Sequence, residues 1–459
     1  MGSPVEDVAP KLQSTLASFV KDNRLPGATA GVVHDGALVW TGSAGFSDIA
    51  SRRVADAQTL HRVASITKTF TATAIVALRD DGLLGLDDPL VAHLPEVAAA
   101  QTSAGPIEAV TLRLLLSHQS GFQSEPPGTD WAVGIYEGDA AANLARAAEF
   151  GTRVPVSTQE KYSNLGYQLL GEVVSRRSGV PFGEFVRARI TEPLGMSRTF
   201  LGHLPDDLAG QAATAYRGRW LSDDLQPVTE PLEMVSSEGG LWSCVEDLAR
   251  WAAFWLEKDD DDSHVGVLNH LSRKEMRTPR YLADEEWTRA YGLGWYGVRK
   301  DDVIWVQHGG SLLGFRSLVA FDPKTRVGAV GLINGMGLPA ALTMSLAAIA
   351  RTAVSEAAPT LEASAPLPAA YADLLGLYAE AEIFGELIRV EWRNGALVLH
   401  DPDDPPDLEL SATDDPLVFD VEPGFRPSGE PCRFERGADG RIRSMWIGGG
   451  SYRRLHAAD

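Results

Sequence analysis

The sequence predicts an α/β (α+β) protein in two parts: a large unit with an antiparallel sheet beside a helical region, then a small antiparallel β-barrel. Three observations predict it. Strand-like runs stand at both ends of a long segment whose middle is helix and loop, which implies one sheet closed by distant segments. An Ala- and Pro-rich stretch with few large side chains follows at 353–369, AVSEAAPTLEASAPLPA, as linkers read. From Tyr371 onward, short strand-like runs alternate with tight turns. The expected division is a unit over 1–352, a linker over 353–369 and a barrel over 370–459.

The elements follow in order. Residues 11–24 place Leu12, Leu16, Phe19 and Val20 at helical spacing. Ala28–Val33 and Ala37–Thr41 read as strands joined at His34-Asp35-Gly36, whose Asp-Gly is a hairpin turn signal. Residues 65–80, SITKTFTATAIVALRD, read as a helix ended by Asp81-Gly82. Strand character returns at 303–335 in VIWV, SLVAFD and VGAVGLIN. In the tail, LIRVEW and ALVLH flank Asn394-Gly395, and CRFER and RIRSMWI flank Asp439-Gly440. About eight such strands make a small barrel.

Bulk properties narrow the function. The chain has 459 residues, too long for one ordinary domain. Its net charge of −21 repels phosphate backbones and anionic lipid, so no nucleic-acid or membrane partner is expected. The two cysteines, Cys244 and Cys432, form no metal or disulfide pattern, and neither metal nor cofactor is expected. No run reaches the roughly 18–20 apolar residues of a membrane span. The opening MGSPVEDVAPKL lacks a basic region followed by an apolar one, so a cytoplasmic protein is expected.

Chemistry concentrates in three segments. In Val63-Ala64-Ser65-Ile66-Thr67-Lys68, the lysine lies three residues after the serine, on the same helical face, within reach of its oxygen. A helix start also offers free N–H groups to a developing oxyanion. A serine hydroxyl is a weak nucleophile and needs a base beside it. Alone, this S-x-x-K reads first as an N-cap serine and a surface lysine. Tyr162-Ser163-Asn164 and His308-Gly309-Gly310-Ser311 lie downstream, and each is commonplace by itself. Their order and spacing together are specific.

The three segments resemble the serine β-lactamase and penicillin-binding-protein superfamily, in its class C-like, S12 peptidase-type branch. Flanking text agrees: TLRLLLSHQSGF at 111–122, EPLGM at 192–196, SSEGGLWSCVEDLARW at 236–251 and YGLGW at 291–295. The resemblance covers roughly residues 12–350. It implies a β-lactamase-like catalytic domain and these roles: Ser65 as nucleophile, Lys68 assisting loss of its proton, Tyr162 as general base, and Asn164 positioning Lys68 and the substrate amide. His308 takes the place of the family's K-T-G lysine, with Gly309 and Gly310 beside the substrate. Backbone N–H groups of Ser65 and Ser311 form the oxyanion hole. A free tyrosine (pKa about 10) and lysine (about 10.4) are poor bases at neutral pH, so each must perturb the other. Histidine for lysine removes a fixed positive charge that binds an antibiotic's carboxylate, which argues against efficient β-lactamase activity.

Other patterns carry less. Gly292–Gly297 fits G-x-G-x-x-G, but two aromatics lie inside it and no helix follows, so it is no dinucleotide site. His61 and His118 flank the site in sequence and are expected to be structural. No G-x-S-x-G elbow surrounds Ser65. The catalytic part followed by a small β-rich domain is most similar to the penicillin-binding-protein-type thioesterases, whose appended barrel is lipocalin-like. That likeness implies head-to-tail cyclisation of a nonribosomal peptide, taken as a thioester from a carrier protein. D-stereospecific aminopeptidases or amidases and family VIII-like carboxylesterases are the alternatives, and an idle binding protein is the non-enzyme one. Of Arg453 and Arg454 in SYRRL, one, Arg454 the preferred, is expected to bind the carboxylate of an incoming nucleophile. The other reading of the pair is surface charge. A monomer is expected, with no sequence feature that fixes the oligomeric state.

Overall fold

The computed structural model describes residues 3–457 except 103, 130–139, 220–221, 229–235, 259–260, 301–302, 358–365, 381–386, 394, 401–406 and 422–428. The chain divides into two compact units, Met1–Ala357 and Ala358–Asp459.

In the first unit, strands from its two ends meet in one sheet. Helix α1 (Ala9–Asp22) leads into β1 (Gly27–His34) and β2 (Ala37–Asp48). Their turn at Asp35 (φ +55°) and Gly36 (φ +80°) is left-handed at both residues, as a tight hairpin requires. The strand predicted to end at Thr41 runs on to Asp48, because its backbone keeps pairing with β1 as far as Gly45. Helix α2 (Thr67–Asp80) carries the lysine of S-x-x-K, and α3 (Asn164–Ser178) starts at the asparagine of Y-x-N. After α4 (Val245–Trp255) come two short strands and then four longer ones: β3 (Tyr296–Lys300), β4 (Val303–Leu312), β5 (Phe315–Asp322) and β6 (Val327–Ile333). Then α5 (Pro339–Ala357) closes the unit. The nine-stranded sheet runs Tyr281–Leu282, Arg289–Tyr291, β3, β4, β5, β6, β1, β2, Arg53–Val54. Antiparallel pairing of β1 with β6, Ala28 opposite Ile333, joins segments about 300 residues apart.

Strand alternation sends side chains to two cores. Ala28, Ala30 and Val32 of β1 pack with Leu12 and Leu16 of α1 and Leu342 and Leu346 of α5. On the other face, Val33 joins Val245 and Leu248 of α4, Phe70 and Ile75 of α2, and Leu165 and Leu169 of α3. Helix α2 is buried from Thr67 to Leu78. Four threonines survive that burial because their hydroxyls find carbonyls: Thr67 bonds Ala64 O (2.7 Å), Thr69 Ile66 O (2.8 Å) and Thr73 Thr69 O (2.8 Å) within the turn, while Thr71 reaches Ser237 O (2.5 Å). The helix that carries Lys68 is thus held in the core along its first three turns.

The second unit is a closed barrel of eight strands, each bonded to the next, with Gly376–Glu380 paired to Gly450–Ala457 at the seam. Alternate residues point inward, and Tyr378, Val390, Leu399, Phe419, Phe434 and Met445 are among the buried side chains that fill it. Both expected hairpins are present, Leu387–Arg393 with Ala396–His400 and Pro431–Arg436 with Ile442–Ile447. Asn394 of the first turn lies outside the described residues.

One boundary needs correction. The linker expected from 353 begins as helix: α5 continues through Ala353-Val354-Ser355-Glu356 to Ala357. Alanine and glutamate are strong helix formers, and the first proline comes only at Pro359. No helix among the described residues is long and apolar enough to cross a membrane.

Candidate active site

The site is built around a strained turn. Ala64 is left-handed (φ +48°), costly for a residue with a Cβ, typically 1–3 kcal/mol, and such strain gathers where function requires it. A 3₁₀ turn, Ala64–Ile66, then feeds α2. The turn is clamped from two sides. Val63 N–H donates to Leu241 O at 3.0 Å, and Ser317 Oγ of β5 donates to Val63 O at 2.8 Å. Strand β4 comes so close that a Cβ on Gly310 would sit 2.1 Å from Val63 O. That approach brings Ser65 and Ser311 to one cavity of about 910 Å³.

Lys68 is fully buried, and its ammonium donates three hydrogen bonds, to Ser65 Oγ (3.1 Å), Asn164 Oδ1 (2.7 Å) and Glu238 O (2.7 Å). All three acceptors are neutral. Asn164 is fixed in turn by donating Nδ2 to Glu125 Oε1 at 2.7 Å. The Tyr162 ring lies 4.9 Å from the ammonium, a cation–π distance, and packs tilted against His118, ring centres 4.2 Å apart. Tyr162 also lines the cavity. Ser163 caps α3, its Oγ accepting from Gly166 N, so the cap places Tyr162 on one side of it and Asn164 on the other.

His118 and His308 are both buried and held neutral. His118, left-handed at φ +56°, accepts from Ser163 N at 3.2 Å and packs on Tyr162, Tyr167 and Tyr291. Burial, then the charge of Lys68, lowers its pKa well below the usual range. His308 Nδ1 lies 2.8 Å from Gly309 O and Nε2 3.2 Å from Tyr291 Oη. The carbonyl can only accept, so Nδ1 carries the hydrogen and Nε2 accepts from the tyrosine. Burial and Lys68 push its pKa down to about 3. At neutral pH this position therefore holds no positive charge. His61 is also buried, 3.1 Å from Thr59 O.

Sequence reasoning passed over Glu238. Its carboxyl is buried, with Oε1 accepting from Gln168 Nε2 at 3.0 Å and Oε2 without a partner among the described residues. Burial raises its pKa to about 8, with Lys68 opposing. The signal was an acid set in SSEGG, in a segment read only for its resemblance. Gly294 of the G-x-G-x-x-G pattern is left-handed (φ +82°) and abuts Ala72 and the Lys68 carbonyl, so this glycine serves packing against α2, while Gly292 packs on the Met276 carbonyl and Gly297 on Pro279.

His308, Gly309 and Gly310 line the same cavity as Ser65, Tyr162, Asn164 and Ser311. Arg453 and Arg454 belong to the second unit. There Arg453 is exposed, while Arg454 donates to Leu375 O at 2.7 Å and pairs with Asp373 at 3.5 Å. Among the described residues, no group of three or more His, Cys, Asp or Glu could hold a metal ion.

Comparison with known proteins gives three findings. A family model described as Beta-lactamase matches residues 12–353. The curated Protein flp of Staphylococcus aureus is 24% identical over 338 residues, 72% of this chain and 63% of that protein, so the chain spans less than two thirds of that relative. Among solved structures, the octameric penicillin-binding protein homologue from Pyrococcus abyssi aligns over 96% of this chain and 99% of its own, with TM-score 0.65 and 22% identity. A D-stereospecific amidohydrolase from Streptomyces sp. aligns over 71% and 94%, with TM-score 0.58 and 27% identity.

Proposed function

The chain belongs to the beta-lactamase family, and from that premise we propose that it is a serine acyltransferase working through an ester on Ser65, which releases a peptidyl thioester by head-to-tail cyclisation. One observation carries the acyl-enzyme reading. The Lys68 ammonium spends its donors on neutral oxygens only, one of them Ser65 Oγ, so its charge remains to stabilise negative charge developing on that oxygen. Ser65 Oγ attacks the acyl carbon, and its proton passes to Tyr162. The oxyanion sits on the backbone N–H groups of Ser65 and Ser311, and the thiol leaves with a proton. The peptide's own amine then attacks the ester, Tyr162 accepts its proton, and Ser65 is restored.

Two features support an acyl donor of D configuration and a poor fit for β-lactams. A structural neighbour is named a D-stereospecific amidohydrolase. The neutral His308 supplies no fixed cation for an antibiotic's carboxylate. The proposed partner is a carrier-bound peptidyl thioester, and the proposed setting is the cytoplasm. The amidase reading remains the rival, favoured by that same neighbour.

The test uses a peptidyl N-acetylcysteamine thioester of several residues with a D-residue at its acyl end. The cyclic amide is expected as main product by liquid chromatography and mass spectrometry, and Ser65→Ala abolishes it. Linear acid alone, with D-amino acids released from short amides, would replace cyclisation by the amidase reading. A covalent adduct on another serine would remove Ser65 as nucleophile.

A further inference from the structure

Three arginines and one carboxyl line the cavity at Ser65: Arg217, Arg289, Arg316 and Glu238. They differ in how they are engaged. Arg289 pairs with Glu160 at 3.2 Å. Arg316 pairs with no carboxylate among the described residues. Its guanidinium donates to the carbonyl of Phe315 at 2.8 Å and touches the thioether of Met336 at 3.3 Å, a weak acceptor. A guanidinium has five N–H donors, so these two contacts leave most of this cavity-lining group's capacity without a partner among the described residues. Burial lowers its pKa, and no acid among the described residues opposes that.

The placement of Arg316 is equally particular. It stands directly opposite Ser311 in the β4–β5 pair, on the same face of the sheet. Directly paired residues have Cβ atoms about 4.5–5.5 Å apart. A cation is thus held beside the strand segment expected to cradle the oxyanion, in a chain whose net charge is −21. Holding a half-buried guanidinium without an anion costs free energy, which an anionic ligand would recover. The planar fork suits a carboxylate. The phosphate of a pantetheine arm lies many bonds from the thioester carbon, too far for a residue paired with Ser311.

We propose that Arg316 binds a substrate carboxylate within about one residue of the carbonyl that Ser65 attacks. This rests on the acyl-enzyme reading above. The carboxylate can stand on the acyl group or on the amine that leaves or arrives, and two pairs of probes separate these sources. On the acyl side, p-nitrophenyl hydrogen succinate is compared with its neutral methyl ester. On the amine side, D-alanine is compared with D-alaninamide as acceptor from a common thioester.

The wild-type full chain should prefer the charged member of at least one pair in kcat/KM. Arg316→Gln should lower that preference about ten- to a hundredfold, the usual worth of a hydrogen-bonded charge pair, and Arg316→Lys should restore part of it. Added salt should weaken the wild-type preference. No preference in either pair, or a preference that Arg316→Gln leaves within twofold, overturns the proposal. Labelling of Ser65 by an alkyl fluorophosphonate, read by intact mass, reports on the nucleophile alone. Failure of labelling sinks the acyl-enzyme reading, whereas normal labelling with an unmoved preference sinks the Arg316 site.

Discussion

The proton on Glu238 is a stability variable as well as a neighbour of Lys68. Burial raises its pKa from 4.5 to about 8, so the folded state holds this proton where the unfolded state has lost it. Its contribution is full below about pH 4.5 and is lost as pH rises through about 8. Buried neutral histidines act oppositely. His308 and His61, lowered from 6.5 to about 3 and about 4, contribute above pH 6.5 and lose that contribution as pH falls. Glu238→Gln keeps an acceptor for Gln168 but removes the titration. Between pH 6.5 and 9 the wild-type unfolding midpoint should fall, and the variant's should fall less. Parallel slopes would show that Glu238 does not carry the dependence. Tyr162→Phe keeps the ring on His118 and removes only the phenolic oxygen. Acylation of Ser65, followed by stopped-flow, should slow about a hundred- to ten-thousandfold with the melting curve unchanged. A near wild-type rate would leave Lys68 as the base.

At the scale of elements, the site depends on how closely β4 approaches the turn before α2. Gly310 is the contact point, and an added Cβ would meet Val63 O at 2.1 Å and Ser317 Oγ at 2.5 Å. Val63 O is backbone and cannot step aside without moving Ser65. Gly310→Ala should therefore destabilise by about 1–3 kcal/mol, as overpacking does, and lower acylation out of proportion to that loss. Gly309→Ala is the control: its Cβ would meet Ser317 O at 3.2 Å, a contact a small shift relieves. Urea unfolding and acylation rates for both variants test this, and equal effects would count against the contact. The Ser163 cap shows the same economy, since one short side chain fixes the start of α3 and two expected site residues with it.

At the scale of the whole molecule, removing the barrel tests the proposed cyclisation against hydrolysis. Intramolecular attack gains from held geometry, with effective molarities that reach about 10⁵ M or more, but only if water is kept out. Ending the chain after Ala357, where α5 ends, should leave the first unit folded and shift the product of a peptidyl thioester towards linear acid. An unchanged product ratio, with circular dichroism intact, would free the barrel of that role. The sequence by itself determined the local things. Period and turn chemistry marked α1, the β1–β2 hairpin, α2 and the tail hairpins, because each needs only neighbours in the chain. Motif spacing named Ser65, Lys68, Tyr162, Asn164 and His308. It began the linker too early, at 353, where α5 still runs, because composition alone cannot separate an Ala-rich linker from an Ala-rich helix. Only the tertiary structure decided what depends on distance and burial. It set Glu238 beside Lys68, made His308 neutral through burial and the charge of Lys68, and left Arg316, opposite Ser311, without an acid among the described residues. Burial and pairing are properties of segments hundreds of residues apart, and no local pattern records them.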